Sequence, residues 1–544
     1  MLISKADVDR ILSALPHLHR GPGGAAAVLK DGKLISSRVW GYADIDRGIP
    51  MTVKTQFPIC SISKQMVCLA MLSLSRDPTA TMRQRKESPK TQFQLELQKL
   101  LPHLAGRADV ELTIENLCNM QSGIRDYWAM TTLYGARPDG RFSLLHDAPK
   151  SIELCKQFHF SPGTEYSYSN VNFYVLGRIL ENVAGQSLAQ LLVERVFIPA
   201  EMRTASLNPN TNGLPLPIVG YEGDEKLGFF RATNRIEWAG DAGIAASLED
   251  MIAYEKYVDR STNDPQSLYY TAMQSVTFSD GKPAAYGTGL VRRNVAEKET
   301  IGHGAGLRGF RHYRVYVPSE RLSVVVMMNH ETDPTAATDH VLKEILQWKE
   351  PEYPVYEPAR NWFGDFLDAE TQLYITVEKG KESGTLSIRY ARDAEFVRLT
   401  SDTRAECRTM TAEIDGDVLH ITRISENRIL RATRIPKPSD LDIYTLKSED
   451  YTGSYYCEEA ESTFHCTGGN GTLYASFTGF LGDGPKWLMR YIGGDVIAMG
   501  NPRGLDASPP GDWTMVFKRD GNEKVIGCTV GCWLSRNLKF VRSA

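Results

Sequence analysis

Apolar positions Val8, Ile11, Leu12 and Leu15 recur at helical spacing, which predicts a helix within residues 1–20 that Gly21, Gly23 and Gly24 terminate. The next stretch, AAAVLKDGKLISSRVWGYAD, places two strand-like runs around Asp31-Gly32, a dipeptide suited to positive φ. It predicts a hairpin, with Gly41 marking the exit. From Ser61 to Leu74 the pattern is helical with almost no polar face, because Met66 to Leu72 is an unbroken apolar run. A helix that is apolar all round is buried all round. Residues 76–92, RDPTATMRQRKESPKTQ, reverse this character and predict an exposed loop or insertion. Helical patterns resume near 92–103, 113–120 and 172–193. Leu322 to Asn329, LSVVVMMN, reads as a short buried strand, followed by a helix near 336–349.

The alternation changes period at Pro351. PEYPVYEPAR has the prolines of an extended linker. Beyond it short runs such as TLSIRY, EFVRLT and VLHITRI alternate with Gly, Asn and Asp turns, and after a second linker, RIPKPSDLD at 434–442, strands resume to the end. Both stretches predict all-β units of barrel or sandwich size. Trp362-Phe363-Gly364-Asp365-Phe366 resembles Tyr451-Thr452-Gly453-Ser454-Tyr455, and each reaches a Gly-Thr-Leu, at 384–386 and 471–473. Two copies of one β unit is the simple reading. The predicted division is residues 1–349, 350–440 and 441–544.

Composition narrows the function classes. With 42% apolar and 24% charged residues the chain can bury a large core. A formal charge of −4 with no basic block argues against nucleic acid as the main partner. Lys5, Asp7, Asp9 and Arg10 interrupt any secretory leader, and no stretch is apolar enough to span a membrane. Nine cysteines, an odd number, point to free thiols in a reducing, cytoplasmic setting. Cys528 and Cys532 lack a second ligand pair, so no metal is expected.

Three motifs carry candidate chemistry. In Ser61-Ile62-Ser63-Lys64 the two polar ends share one helix face. A serine on the first turn has helix N–H groups nearby, and a buried lysine can fall in pKa far enough to take the serine proton. Roughly one or two such quartets arise by chance in a chain this long, so the motif needs company. Tyr168-Ser169-Asn170 follows the Pro162-Gly163 turn. Tyr168 can relay a proton if a neighbouring cation lowers its pKa, and Asn170 can hold both a lysine and a substrate amide. Taken singly, a core tyrosine and a helix-capping asparagine account for them as well. Gly302-His303-Gly304-Ala305-Gly306 has small residues that let a substrate backbone approach a strand, with His303 as a donor or cation.

Ser-x-x-Lys, then Tyr-x-Asn, then Lys/His-x-Gly on a strand is the order found in the penicillin-recognising serine enzymes, which this sequence resembles over about residues 20–345. Asn119 to Ile124, and Gly240-Asp241-Ala242-Gly243 ahead of Ala246 to Met251, resemble secondary markers of that superfamily. The resemblance extends over nearly the whole chain to its D-aminopeptidase branch, through Gly21 to Gly24, Arg125-Asp126-Tyr127-Trp128 and Pro509 to Trp513. It implies an α+β fold: a β-lactamase/transpeptidase-like catalytic domain, an antiparallel sheet with helices, followed by two antiparallel, lipocalin-like β-barrels. It also implies Ser61 as nucleophile, Lys64 and Tyr168 as proton carriers, Asn170 as substrate holder and His303 as a stabiliser of charge. The N–H groups of Ser61 and Gly306 would form the oxyanion hole. A loop of the last barrel would enter the site and offer an acidic residue to a substrate ammonium; Asp506 and Asp483 are the candidates, with Asp506 favoured by its longer Pro/Gly-rich loop. Ala305 departs from the usual glycine, where a methyl could crowd substrate.

The implied activity is release of an N-terminal D-residue from small peptides, amides and esters with a free amine, without any cofactor. An esterase or β-lactamase-like hydrolase on the same residues, and a scaffold that has lost catalysis, are the alternatives. No membrane partner is implied, and a homodimer is left open.

Overall fold

The computed structural model describes residues 4–390, 392–438, 447–506 and 510–543. An eight-stranded antiparallel sheet runs in the order Tyr286–Gly287, Leu290–Val295, Lys298–Leu307, Phe310–Val317, Leu322–Met328, Gly23–Lys30, Lys33–Asp44, Ile49–Pro50. Its two most apolar strands sit at the centre, where Ala25 lies opposite Met327 and Val28 opposite Val324. They are apolar without alternation because both faces are covered. Ala26, Val28, Val324 and Val326 pack beneath the terminal helices Lys5–Leu18 and Pro334–Ile345. Ala25, Ala27, Val325 and Met327 join the main helical core on the other face. The helix Ser63–Arg76 lies in that core, with every residue from Ser63 to Ala70 buried.

The segment 76–92 corrects the sequence expectation of a loop. It contains the short helix Ala80–Arg83 and the start of the helix Pro89–Leu100. Thr79 and Ser88 cap these helices by accepting from Met82 N and Thr91 N, Pro89 sits in the first turn, and Met82 is buried. Caps and one apolar anchor outweigh the density of charge.

After an extended connection, eight strands from Gly364–Asp368 to Arg428–Arg434 close into a barrel around Phe366, Ile375, Val377, Leu386, Ile388 and their alternating neighbours. A second barrel is built from Gly453–Cys457, Ser462–Gly469, Thr472–Gly479, Trp487–Gly493, Val496–Met499, Trp513–Arg519, Val525–Cys532 and Ser535–Arg542, closed by pairing of Ser462–Gly469 with Thr472–Gly479. The internal repeat maps onto corresponding places. Gly364 and Gly453 open the first strands at φ 136° and 146°, and each Gly-Thr-Leu opens the third strand of its barrel. The short helix Tyr127–Leu133 ties the second barrel to the sheet-and-helix region. Tyr127 and Trp128 pack in the main core, while Ala129, Met130 and Leu133 pack in the core of the barrel.

Candidate active site

Ser61 stands in a single 3₁₀ turn, Cys60–Ile62, that leads directly into the helix Ser63–Arg76. Residues i and i+3 of successive helical turns share one face, and across this junction the Lys64 Nζ comes to 3.0 Å from Ser61 Oγ. The residue ahead of the nucleophile, Cys60, is buried with φ 46°, a left-handed conformation that costs a non-glycine residue about 1–3 kcal/mol.

Lys64 is fully buried, and its nitrogen meets two further oxygens, Asn170 Oδ1 at 2.9 Å and the Asp241 carbonyl at 2.6 Å. Both are acceptors only, so each takes a hydrogen from Lys64. A neutral amine satisfies them with its two hydrogens and turns its lone pair toward Ser61. Burial lowers the Lys64 pKa to about 8, partly opposed by the negative charges of Asp241, Asp126 and Asp506. The Tyr168 hydroxyl donates to Ser61 Oγ at 2.8 Å, and the Lys64 nitrogen lies 4.9 Å from the centre of its ring. The condition under which the sequence made Tyr168 a relay, a pKa lowered by a neighbouring cation, is not met. Burial, the largest influence, pushes the phenol well above its ordinary range, so Tyr168 holds its proton.

His303 lies on the strand Lys298–Leu307 with its ring 6.3 Å from that of Tyr168. Its Nδ1 donates to the Gly304 carbonyl at 2.5 Å, which leaves Nε2 to accept from the Tyr286 hydroxyl at 3.0 Å. Burial and Lys64 push its pKa down to about 3. His303 is therefore a neutral ring, which removes the cation from the two roles, donor or cation, that the sequence left open. Gly306 lies farther along the strand, opposite Arg311, and the strand packs against the turn that carries Ser61. Gly302 is required by close approach, since a Cβ there would come 2.3 Å from the Arg314 carbonyl. Ala305 shares the His303 face and packs its methyl into the main core.

The two acidic candidates separate. The segment after Met499 leaves the second barrel and crosses to the helical region. Asn501 Nδ2 donates to Thr132 Oγ1 at 3.0 Å, Arg503 pairs with Glu222 at 2.9 Å and Asp139 at 3.2 Å, and Leu505 is buried in the main core. Asp506 follows, and its charge acts on Lys64, Cys60 and Tyr127. Asp483 also belongs to a loop that touches the helical region, where Leu481 N donates to the Tyr134 carbonyl at 3.0 Å. Its carboxylate, however, is exposed and accepts from Thr478 of its own barrel at 2.8 Å.

Sequence reasoning missed three residues in roles at the site. Tyr286 faces His303, Asp241 supplies a carbonyl to Lys64, and Asp126 binds Asn170. Asp241 and Asp126 stand in stretches that carry the resemblance, but only Asp126 has a local signal, an acidic residue heading an apolar helical run. Supports from both barrels were missed as well. The segment before Tyr168 is clamped where Glu165 meets Arg428 of the first barrel at 2.7 Å and Arg536 of the second at 3.1 Å. Tyr166 N donates to the Glu426 carbonyl at 3.1 Å, and the Asn427 amide to the Thr164 carbonyl at 2.9 Å.

Comparison with known proteins finds relatives over nearly the whole chain. The β-lactamase family matches residues 8–347, and D-aminopeptidase, domain B, matches residues 355–541. A D-aminopeptidase of Cereibacter sphaeroides is 39% identical over 535 residues, covering 98% of each chain. One from Brucella ovis is 38% identical over 536 residues, again 98% of each. Among solved structures, the octameric penicillin-binding protein homologue of Pyrococcus abyssi aligns with a TM-score of 0.53 at 16% identity, over 79% of this chain and 99% of the other. The D-amino acid amidase of Ochrobactrum anthropi aligns at 0.50 and 19% identity, over 63% of this chain and 100% of the other. These two show the fold.

Proposed function

The chain belongs to the D-aminopeptidase family of β-lactamase-like serine hydrolases, and from that premise we propose that it releases N-terminal D-residues from small peptides, amides and esters through an acyl-enzyme on Ser61. Neutral Lys64 takes the Ser61 proton as Oγ attacks the carbonyl carbon. The N–H groups of Ser61 and Gly306 receive the oxyanion. Tyr168, protonated and 2.8 Å from Oγ, hands a proton to the leaving amine and regains one from Lys64. Water then repeats the sequence on the ester. Asn170 holds Lys64 and the substrate amide, and His303 walls the site as an uncharged ring.

The observation that carries the aminopeptidase reading over an esterase is the position of Asp506. A loop of the second barrel, anchored by Leu505 in the catalytic core, brings this carboxylate within electrostatic range of Lys64. A substrate ammonium answers it, and the intruding loop limits substrate length. Asp483, exposed and engaged with Thr478, is the weaker candidate for that role. Nine free cysteines support a reducing, cytoplasmic setting. Among the described residues no helix is long and apolar enough to cross a membrane. Sedimentation equilibrium tests the homodimer that the resemblance leaves open.

The decisive assay compares D-alanine p-nitroanilide, its L isomer and p-nitrophenyl acetate, which lacks an amine. We expect clear D-over-L preference, and Asp506→Asn should raise KM for the D-anilide about tenfold or more while sparing the acetate, as loss of a charge-assisted bond requires. Equal D and L rates, or an Asp506 variant with unchanged KM, would overturn the reading.

A further inference from the structure

We infer that Asp126 is a positioning residue that fixes the orientation of the Asn170 amide, and through it aims Lys64 at Ser61. The inference rests on the proposed role of Ser61 and Lys64 above.

Asp126 is buried at the start of the helix Tyr127–Leu133. Its Oδ1 accepts twice from Asn170, from the backbone N at 2.7 Å and from Nδ2 at 3.0 Å. Its other oxygen caps the helix by accepting from Ala129 N at 3.2 Å. Burial raises the Asp126 pKa to about 6, so above that pH it is a carboxylate that can only accept, and Asn170 must turn its NH₂ toward Asp126 and its carbonyl toward Lys64. The Lys64 nitrogen then has acceptors at Asn170 Oδ1 and at the Asp241 carbonyl, and its remaining valence meets Ser61 Oγ. Rotating the amide by half a turn would place its NH₂ against Lys64. The amine lone pair could then be drawn to Asn170 instead of to the serine proton. Asp126 touches neither Ser61 nor Lys64 in any hydrogen bond, yet it decides which way that lone pair faces.

The second barrel is built into this device. Asp126 N donates to the Leu534 carbonyl at 3.3 Å, and the neighbouring Arg125 donates to the Arg536 carbonyl at 3.1 Å and pairs with Glu459. The backbone that carries the carboxylate is thus held by the barrel as well as by the helix it caps.

Asp126→Asn separates positioning from capping. Asparagine is a good N-cap, so its oxygen can still serve Ala129 N. Its NH₂ then faces Asn170, and donor meets donor unless the Asn170 amide flips. The assay is the rate of Ser61 modification by a fluorophosphonate, followed by mass spectrometry from pH 6 to 10 on the full-length protein. We expect the rate on the high-pH plateau to fall about tenfold or more. The midpoint of the acid limb should move to lower pH, because one of the three carboxylates that favour the Lys64 ammonium is gone. A plateau and midpoint equal to wild type, with or without a lowered melting temperature, would show a cap and nothing more and overturn the inference. If Asp126→Asn does not fold, Asp126→Ser carries the same comparison, since serine caps helices but is too short to bridge to Asn170. The probe contains no amino acid, so failure of the D-substrate reading leaves this result intact. Absence of a wild-type adduct on Ser61 would instead overturn the nucleophile and the inference with it.

Discussion

Raising the pH from 6 to 10 converts the Lys64 ammonium to an amine, and the burial of this residue places that conversion near pH 8. The gain from burial can be worked out. At pH 7 a lysine with a pKa of about 8 is neutral in about one molecule in eleven. At the ordinary value of 10.5 it would be neutral in about one in three thousand. The population of competent base rises about 300-fold, equivalent to about 3 kcal/mol. A substrate with an α-amine adds an opposite requirement, because only its ammonium is attracted by Asp506, and that group titrates at about 7.7–8.0 in simple models. For D-alanine p-nitroanilide kcat/KM should therefore trace a narrow bell centred near pH 8, at about a quarter of its limiting value. For p-nitrophenyl acetate the falling limb should be absent, leaving a single rise with its midpoint near 8. Stopped-flow or plate-reader kinetics in constant-ionic-strength buffers resolve the two shapes. In Asp506→Asn the anilide should lose its falling limb, and the rise should shift to lower pH as a negative charge leaves the surroundings of Lys64. A rise with its midpoint near 10.5 would refute the buried-base argument. A falling limb shared by both substrates would refute the ammonium argument.

Two more outcomes follow from the same contacts. Lys64→Met should abolish Ser61 acylation yet not destabilise the protein at pH 7. The depressed lysine pKa costs the fold up to about 3 kcal/mol when the site is protonated, offset by about 1 kcal/mol for each acceptor left unserved. That cost is fully present below about pH 8 and fades as pH rises toward 10.5, so urea unfolding should show wild type gaining stability relative to Lys64→Met across that window. Arg503→Ala cuts the links to Glu222 and Asp139 that hold the loop leading to Asp506; comparing a D-alanyl dipeptide with a tetrapeptide should show the longer substrate gaining in relative kcat/KM by about threefold.

Much of the fold was legible because its signals are local. The all-apolar helix after Ser61, the unalternating strand Leu322–Met328 and the change of period after Pro351 each report what covers them. The repeated glycines reported the barrels, because Gly364 and Gly453 occupy one backbone conformation in two copies of a unit. Residues 76–92 were misread for a definite reason. Their charge is on the surface, while the decisive features are two caps and the single buried apolar side chain of Met82, too few to register as a periodic pattern. Local pattern favoured Asp506 over Asp483 by loop length and Pro/Gly content alone. Both lie on loops that reach the helical region, and only the burial of Leu505 carries one of them inward.

The site residues themselves were visible as types, but their protonation was not, and the chemistry depends on protonation. A histidine beside glycines suggests a donor or a cation until the Gly304 carbonyl takes its Nδ1 hydrogen and Tyr286 fills Nε2. A tyrosine placed beside a lysine suggests a lowered pKa, but burial dominates, and the hydrogen bond to Ser61 opposes it only in part. In a buried cluster the state of each group follows from counting donors against acceptors, because water is not there to correct a mismatch. Asp126 can only accept, which orients Asn170; the Asn170 and Asp241 oxygens can only accept, which claims two hydrogens of Lys64; what remains of the lysine faces Ser61. Sequence spacing could bring Lys64 close to Ser61. Burial is what lowers the Lys64 pKa far enough for it to serve as a base, and the chain of acceptors, assembled from segments far apart in the chain, turns the lone pair of the neutral amine toward Ser61.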